Sequence, residues 1–260
     1  MPITWFNAEY ERHLNDKQTY KFIGDFNIEQ HIRDSNTLLF KLKKRFNDLL
    51  TPNKRQLLQP IDVDDIQLPY MKILPKIHKL NSPPSSQNGD TLTGRPIITA
   101  HSWSTSNISK LLGSELDNLI SQFKSLFVSK NIHFPLIYNS YELIDLLQQQ
   151  HITDINKHSL ITFDFSSLYT NISFQDTINA IIRACKILNI PNFYRDFLLN
   201  LNDFINNRNY FTTGQSIFQQ IQGVAMGSYH SRQIANLVLL VAKFTGFVQR
   251  ICLHTLIHYT

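Results

Sequence analysis

The chain has 260 residues, of which 42% are hydrophobic and 17% are charged, and its formal net charge is +5. This length and hydrophobic content suffice for one large domain or two small ones with a sizeable core. The low charged fraction excludes the highly charged composition that is typical of disordered chains. The mild basic excess is compatible with a partner that carries phosphate, although many basic proteins bind no nucleic acid.

The cysteines and the apolar segments bear on the compartment in which the chain works. Cys185 and Cys252 have no close Cys or His neighbour at a zinc-finger spacing, so we interpret both as free thiols in a reducing environment. The first ten residues lack the apolar core of a signal peptide. The longest apolar stretch, residues 237–248, contains Lys243 and Gly246 and is too short to span a bilayer. We therefore expect a nuclear or cytoplasmic protein that is not secreted and has no membrane partner.

The first strong secondary-structure signal is a helical period over residues 26–50, where apolar residues fall on one broad face. Basic residues lie around that face, namely Lys41, Lys43, Lys44 and Arg45. We interpret them first as a solvated helix surface, because charge runs usually have that role. The alternative is a surface that contacts phosphate groups.

Two stretches in the first hundred residues are predicted to be loops. Residues 51–68 contain Pro52, Pro60 and several aspartates, and residues 81–94 are rich in Pro, Ser and Gly. The predicted elements that follow are a strand over residues 95–99, a long amphipathic helix capped by Ser106 and Asn107, a shorter helix over residues 141–149 and a strand over residues 160–165.

The C-terminal third contains well-marked starts of elements. Ser173 and Asp176 match a capping box that opens a helix ending near Leu188. Strands alternating with long helices predict an α+β fold, with α/β as the neighbouring class. The remaining predicted elements are a helix over residues 191–206 with Pro191 in its first turn, a hairpin over residues 210–218, a glycine-rich turn over residues 223–227 and a helix from Ser231.

The first motif with chemical content reads FDFSSLYTNI over residues 163–172. An aspartate at a strand end is held rigidly and is a candidate metal ligand, although such aspartates also cap turns. The string resembles the first carboxylate motif of reverse transcriptases, most closely the form found in Penelope-like retroelements, in the branch related to telomerase. The resemblance implies that Asp164 and the backbone of Phe165 bind a catalytic pair of Mg²⁺ or Mn²⁺ ions. It also implies that Tyr169 is a steric gate against a ribose 2′-OH; without the motif, Tyr169 would be interpreted as a core aromatic residue.

The second motif reads QQIQGVAMGS over residues 219–228 and resembles the glycine-rich motif of the same family. Glycines there let the backbone approach the nucleotide and the template base. The resemblance implies nucleotide contacts from Gln222 and Gly223. It implies template and primer contacts from Met226, Gly227 and Ser228. The family usually has proline at the positions of Tyr229 and Arg232, so the chain departs from the pattern there.

The third motif consists of LPKIHK at residues 74–79 and GRPII at residues 94–98, which resemble the two fingers motifs of the family. The resemblance implies that Lys76 and Arg95 grip the triphosphate of the incoming nucleotide. A triphosphate needs cations, and a planar guanidinium engages phosphate oxygens in a two-pronged fashion. Two neighbours are interpreted instead as an exposed basic loop, His78 and Lys79.

The three motifs occur in the order that the family has, and the resemblance implies a right-hand polymerase. Residues 1–60 would form an N-terminal helical extension, residues 61–158 the fingers and residues 159–260 an incomplete palm. The implied activity is RNA-templated DNA synthesis from a primer 3′-OH. The implied partners are an RNA template, a DNA primer and deoxynucleoside triphosphates.

The expected activity of the chain depends on a second source of carboxylates. Two-metal phosphoryl transfer needs carboxylates from a second segment in addition to Asp164. The family supplies them from an aromatic-x-Asp-Asp hairpin. In this sequence, no Asp or Glu follows Asp203. We therefore expect the chain to stop before that hairpin and to be inactive as a polymerase. The alternatives are a non-catalytic nucleic-acid-binding relic or a marginally folded fragment. Asp64 and Asp65 lie in the wrong order for catalysis, and His254 and His258 are interpreted as a helix face.

Overall fold

The computed structural model describes residues 2–77, 92–131, 133–149, 161, 164–165 and 167–244. Within them the fold is α+β, with helices predominating over two small antiparallel sheets. The helices are α1 (Ile3–Leu14), α2 (Ile28–Arg45), α3 (Pro52–Leu57), α4 (Ser106–Ser129), α5 (Ser140–Gln148), α6 (Leu168–Asn171), α7 (Phe174–Ile187), α8 (Asn192–Asn206) and α9 (Ser231–Phe244). The strands are β1 (Tyr20–Ile23), β2 (Met71–Pro75), β3 (Gly94–Ile98), β4 (Tyr210–Thr212) and β5 (Ile217–Gln220).

Local capping signals fix where several helices begin. Helix α7 starts with the predicted capping box, in which the Asp176 backbone N–H donates to the Ser173 hydroxyl over 3.0 Å. The Ser173 backbone N–H donates in turn to the Asp176 carboxylate over 2.9 Å. Helix α2 starts at Asn27, whose side chain accepts the backbone N–H of Gln30 over 2.9 Å. The helices predicted over residues 26–50 and from Ser173 are thereby confirmed, since these caps satisfy backbone groups that a helix end leaves unpaired.

The larger hydrophobic core is formed mainly by helices α2, α4, α7, α8 and α9. Phe46, Phe123 and Phe197 in this core are fully buried. They come from the three parts into which the sequence was divided, at residues 1–60, 61–158 and 159–260, so one core joins all three parts. The fingers and palm boundaries stay a prediction.

A smaller hydrophobic cluster joins the two sheets. One sheet has the strand order β1-β5-β4, the other pairs β2 with β3, and the strands within each sheet are antiparallel. An isolated parallel bridge joins Tyr70 to Thr212. The buried members of the cluster are Tyr20, Met71, Ile73, Ile98, Phe211 and Phe218. Helix α1 packs on this cluster through Trp5, Phe6, Tyr10 and Leu14. The sequence predicted neither the pairing of β1 nor the position of α1, because both depend on partners far away in the chain.

Three sequence predictions about element boundaries were wrong. Residues 51–68 contain the short helix α3, because Thr51 caps it and proline is tolerated at a first helical position. Ser106 does not cap α4: it lies inside the helix, and its hydroxyl donates to the carbonyl of His101 over 2.7 Å. Pro191 is the N-cap residue of α8 rather than part of its first turn.

The strand predicted over residues 160–165 is not seen where the structure describes it, since Ile161, Asp164 and Phe165 belong to no strand. Its other members lie outside the described residues, as do residues 81–91, His78 and Lys79. The strand over residues 95–99 and the hairpin over residues 210–218 are confirmed by β3, β4 and β5.

The described parts of the chain also bear on the cysteine and membrane predictions. Cys185 is a free, buried thiol, and burial raises its pKa to about 11. Such a thiol stays protonated and unreactive near neutral pH. Cys252, His254 and His258 lie outside the described residues. Across residues that the structure describes, no helix has the length and apolar character needed to cross a membrane.

Candidate functional site

A cleft of about 460 Å³ opens between helix α1, the joined ends of β2 and β3, and the turn that leads into α6. Most of the site residues predicted from the three motifs line this cleft. They are Lys76, Arg95, Asp164, Phe165, Tyr169 and Met226. Residues from three motifs that are far apart in sequence therefore share one concave surface, which is the usual form of a small-molecule site.

The cationic side of the cleft is built on the β2–β3 pair. Arg95 in β3 is exposed and lies opposite Leu74 of β2, and Lys76 directly follows β2. The backbone N–H of Lys76 donates to the carbonyl of Thr93 over 2.9 Å, which holds the two cation-bearing segments together. Gly94 has no room for a side chain, since a Cβ there would lie 2.2 Å from Cγ2 of Ile73. The strand pairing thus brings two cations to the same end of the hairpin.

The acidic side of the cleft is the turn before α6. Asp164 is exposed, and Phe165 beside it is 62% exposed. The chain then turns through Ser167, whose φ of 53° is left-handed, and enters α6. Tyr169 is half-buried and packs against the larger hydrophobic core while it lines the cleft. Tyr169 therefore contacts both the core and the cleft, and its role as a steric gate stays a prediction.

The glycine-rich segment lies between that turn and strand β3. The backbone N–H of Val224 donates to the carbonyl of Tyr169 over 2.7 Å, and the backbone N–H of Ile98 donates to the carbonyl of Met226 over 2.8 Å. Gly223 and Gly227 have left-handed φ angles of 83° and 110°. A Cβ at Gly223 would lie 2.8 Å from Cα of Thr170, and one at Gly227 would lie 2.7 Å from the carbonyl oxygen of Ile98. Both glycines are thus required by backbone angle and by close approach.

The other residues predicted from the glycine-rich motif support the segment rather than line the cleft. In the described structure Gln222, Gly223, Gly227 and Ser228 are not among the lining residues. The carbonyl of Gln222 accepts the side-chain amide of Gln220 over 2.9 Å, and the backbone N–H of Ser228 donates to Ala225 over 3.3 Å. Their predicted contacts with a nucleotide or with template and primer remain predictions.

Tyr229 and Arg232, at which the sequence departs from the reverse-transcriptase pattern that it resembles, have different surroundings. The hydroxyl of Tyr229 lies 2.9 Å from Nδ1 of His101, and Nζ of Lys110 lies 4.8 Å from the centre of its ring. Arg232 is exposed on helix α9. Side-chain contacts hold the chain at Tyr229, where the family's proline would restrict the backbone itself.

Helix α1 and the turn after it contribute lining residues that the sequence analysis missed, namely Arg12 and His13 from the helix and Asp16 from the turn. The sequence signal that could have indicated a role for α1 is its aromatic face, because such a face has to pack against another part of the chain. Asp16 is already engaged, because its carboxylate accepts the hydroxyl of Thr19 over 2.6 Å and stabilises the turn before β1. Arg12 therefore adds a cationic donor to the side of the cleft that holds Lys76 and Arg95, and His13 adds a neutral one.

Glu9 joins α1 to strand β3. Its carboxylate, 9% exposed, accepts Nε of Arg12 over 2.8 Å, Nη2 of Arg12 over 2.7 Å and the backbone N–H of Gly94 over 2.6 Å. The hydrogen bonds from Arg12 lower the pKa of Glu9, and the hydrogen bond from Gly94 adds to this effect. Burial acts in the opposite direction, but the pKa stays below its usual value. Burial and the charge of Arg12 lower the pKa of His13, which is therefore neutral near pH 7. Hydrogen bonds to an ionised group are stronger than those between neutral groups.

Asp164 is the predicted metal ligand that lies at the cleft. Among the described residues no three His, Cys, Asp or Glu side chains are grouped to hold an ion. Mg²⁺ in such sites is commonly held by one or two carboxylates together with phosphate oxygens and water, and Mn²⁺ accepts similar ligands. Asp164, exposed at the cleft, would be the residue that holds such an ion, and binding of Mg²⁺ or Mn²⁺ stays a prediction.

Comparisons of the chain with protein-family models, with curated proteins and with solved structures found no match.

Replacing Gly223 by alanine is expected to destabilise the fold by about 1–3 kcal/mol, because the left-handed backbone and the contact with Thr170 both oppose a Cβ. Thermal or urea unfolding measures the change. Gly24→Ala is the matched control, since nothing lies within 4 Å of a Cβ there. Equal unfolding free energies for the two variants would contradict the packing described for the glycine-rich segment.

The Glu9 carboxylate is expected to stabilise the fold in a pH-dependent way. Its folded-state pKa is lowered, so its contribution is present above the unfolded pKa and is lost as the pH falls through the folded pKa. Glu9→Gln should cost about 2 kcal/mol at pH 7, the scale of hydrogen bonds to a charged group, and progressively less in acid. Urea unfolding at several pH values measures this. Glu29→Gln, at a surface pair with Arg33, should have little effect, and a pH-independent Glu9→Gln cost would contradict the account.

Proposed function

We propose that this chain is the fingers and part of the palm of a reverse-transcriptase-type polymerase, and that the cleft binds a deoxynucleoside triphosphate. The observation that carries the proposal is the convergence of Lys76, Arg95, Asp164 and Tyr169 on one cleft. These are the positions at which the sequence resembles the residues that such enzymes use for phosphate, metal and sugar. If the similarity of the motifs were accidental, these four residues would have no reason to line the same cleft.

The charges of the cleft suit the two ends of such a ligand. Lys76 and Arg95 offer cations to the phosphates, and the Arg95 guanidinium engages phosphate oxygens in pairs. Asp164 is the residue that would hold a Mg²⁺ or Mn²⁺ ion, which when bound neutralises charge on the phosphates and acidifies a primer 3′-OH. The ring of Tyr169 lies between these groups and the larger core, where it would contact the sugar.

The glycine-rich segment supports the same proposal. It approaches both the Tyr169 turn and strand β3 through backbone atoms, at distances that no side chain would allow. Met226 reaches the cleft from this segment and would lie against the base or the template. The proposal assigns metal binding at the cleft to Asp164, without the second carboxylate motif that polymerisation needs, so nucleotide binding tests the proposal independently of DNA synthesis.

Nucleotide binding is the experiment for this proposal. Calorimetric titration of the chain with dATP and Mg²⁺ should give saturable binding that Arg95→Gln weakens by about tenfold or more, because a charged hydrogen-bond donor is lost. The chain should prefer dATP to ATP, and Tyr169→Ala should reduce that preference.

Arg33→Gln serves as the control for the loss of one arginine, since Arg33 pairs with Glu29 on the surface of α2 and does not line the cleft. Equal affinities for ATP and dATP in the unaltered chain, or equal binding by Arg95→Gln, would argue against the proposed site.

A second candidate function is the binding of single-stranded nucleic acid on helix α2. Phe40 is 69% exposed and borders a groove of about 330 Å³ together with Lys43 and Lys44. Within the described chain no carboxylate lies within ion-pair distance of Lys41, Lys43 or Lys44. An exposed aromatic ring among unpaired cations is the arrangement on which bases stack while lysines follow the phosphates. Nucleic-acid binding at this surface would not depend on catalysis in the cleft.

Fluorescence anisotropy with a labelled oligo(dT) or oligo(U) tests the α2 surface. Phe40→Ala should weaken binding by about tenfold through lost stacking, and Lys43→Gln with Lys44→Gln should flatten the salt dependence. Val128→Ala is the matched control, because Val128 is also 69% exposed but lies on α4. Binding that is insensitive to both changes would remove this candidate.

A further inference from the structure

Helix α1 places an arginine at the cationic side of the cleft that no motif of the sequence singled out. Arg12 and His13 line the cleft together with Lys76 and Arg95. The charge of Lys76 contributes to lowering the pKa of His13, as expected for groups that share one small space. Because His13 is neutral near pH 7, Arg12 is the side chain through which α1 adds positive charge to the cleft.

The donors of Arg12 are only partly used within the protein. Nε and Nη2 donate to the two oxygens of Glu9 over 2.8 and 2.7 Å, and Nη2 also lies 3.4 Å from the carbonyl of Gly94. Nη2 lies 2.9 Å from Nε2 of His13 as well. None of these contacts with described residues involves Nη1, which has two N–H groups of its own. The Arg12 side chain is 47% exposed, so a ligand can reach these donors.

Glu9 fixes the direction of Arg12 and links it to Arg95. Its buried carboxylate binds one edge of the Arg12 guanidinium, which leaves the opposite edge pointing away from Glu9. The same carboxylate accepts the backbone N–H of Gly94, the residue before Arg95. One buried anion therefore positions two cation-bearing segments, α1 and β3, at a fixed spacing.

We propose that Arg12 is a third phosphate-binding residue of the cleft and that Glu9 is its positioning residue. The ligand class is a polyphosphate, as at the end of a nucleoside triphosphate, because Arg12, Lys76 and Arg95 together suit several phosphate groups better than one. This inference rests on the proposed function, which it extends from β2 and β3 to the first helix of the chain.

Titration of the full chain with inorganic tripolyphosphate, dTTP and dTMP tests this inference. Arg12→Gln should weaken tripolyphosphate and dTTP binding by about tenfold, the scale of one charged hydrogen-bonding partner, and leave dTMP binding nearly unchanged. It should also flatten the dependence of binding on NaCl concentration, which a purely structural change would not alter. Arg12→Lys should weaken tripolyphosphate and dTTP binding by about threefold or less, because lysine keeps the positive charge but lacks the planar, two-pronged donor geometry of the guanidinium. Arg33→Gln should bind like the unaltered chain.

A double-mutant cycle tests the role of Glu9. Glu9→Gln should weaken tripolyphosphate binding in the unaltered chain and have a clearly smaller effect in the Arg12→Gln background, where only the contact of residue 9 with Gly94 remains. Binding of dTTP that depends on Arg95 but not on Arg12 would overturn the inference and leave the proposed function standing. A chain that binds neither tripolyphosphate nor dTTP would refute the proposed function itself. If the Arg12→Gln protein does not fold, the Arg12→Lys protein tests the inference instead. Retained tripolyphosphate binding by Arg12→Lys supports the inference, and complete loss of that binding in a folded Arg12→Lys protein overturns it.

Discussion

Two backbone hydrogen bonds hold the glycine-rich segment, and the geometry of the cleft depends on them. Val224 donates to the carbonyl of Tyr169 over 2.7 Å, and Ile98 donates to the carbonyl of Met226 over 2.8 Å. The segment thereby ties the turn that carries the acidic group to the strand that carries Arg95. Because Gly223 meets backbone atoms of Tyr169 and Thr170, a side chain there would push the two sides of the cleft apart. The separation between the acidic and cationic groups is therefore set by backbone contacts, which vary less than contacts between long side chains.

The charge balance of the cleft follows from which side chains are already engaged. Glu9 is satisfied by Arg12 and Gly94, and Asp16 by the turn at Thr19, so neither offers a free carboxylate. Asp164 is exposed, like Asp16, and it lines the same cleft as Arg12 and Arg95. Such an excess of cations attracts an anionic ligand and concentrates it near the carboxylate. The proposed polyphosphate site and the proposed metal ligand thus form one electrostatic unit.

The sequence predicted those features that local signals specify. The capping box at Ser173 and the hairpin around Gly214 depend on neighbouring residues and were found where expected. Helix α3 was missed because Pro52 was interpreted as a loop residue, although proline suits a first helical turn. The proposed role of α1 could not be predicted, because it depends on the hydrogen bond between Glu9 and Gly94, which joins residues 85 positions apart. A lone Glu-x-x-Arg pair on a helix has no feature that distinguishes a site residue from a surface ion pair.

The central claim is that α1, the β2–β3 end, the turn before α6 and the glycine-rich segment form one ligand-binding cleft. Hydrogen–deuterium exchange of the full chain, with and without saturating dTTP and Mg²⁺, tests this claim most directly, because exchange reports on each backbone segment separately. The account predicts that slower exchange develops together in peptides covering residues 9–16, 92–96, 167–170 and 223–227. Slower exchange confined to α2, or no change in any of the four segments at saturating ligand, would contradict it.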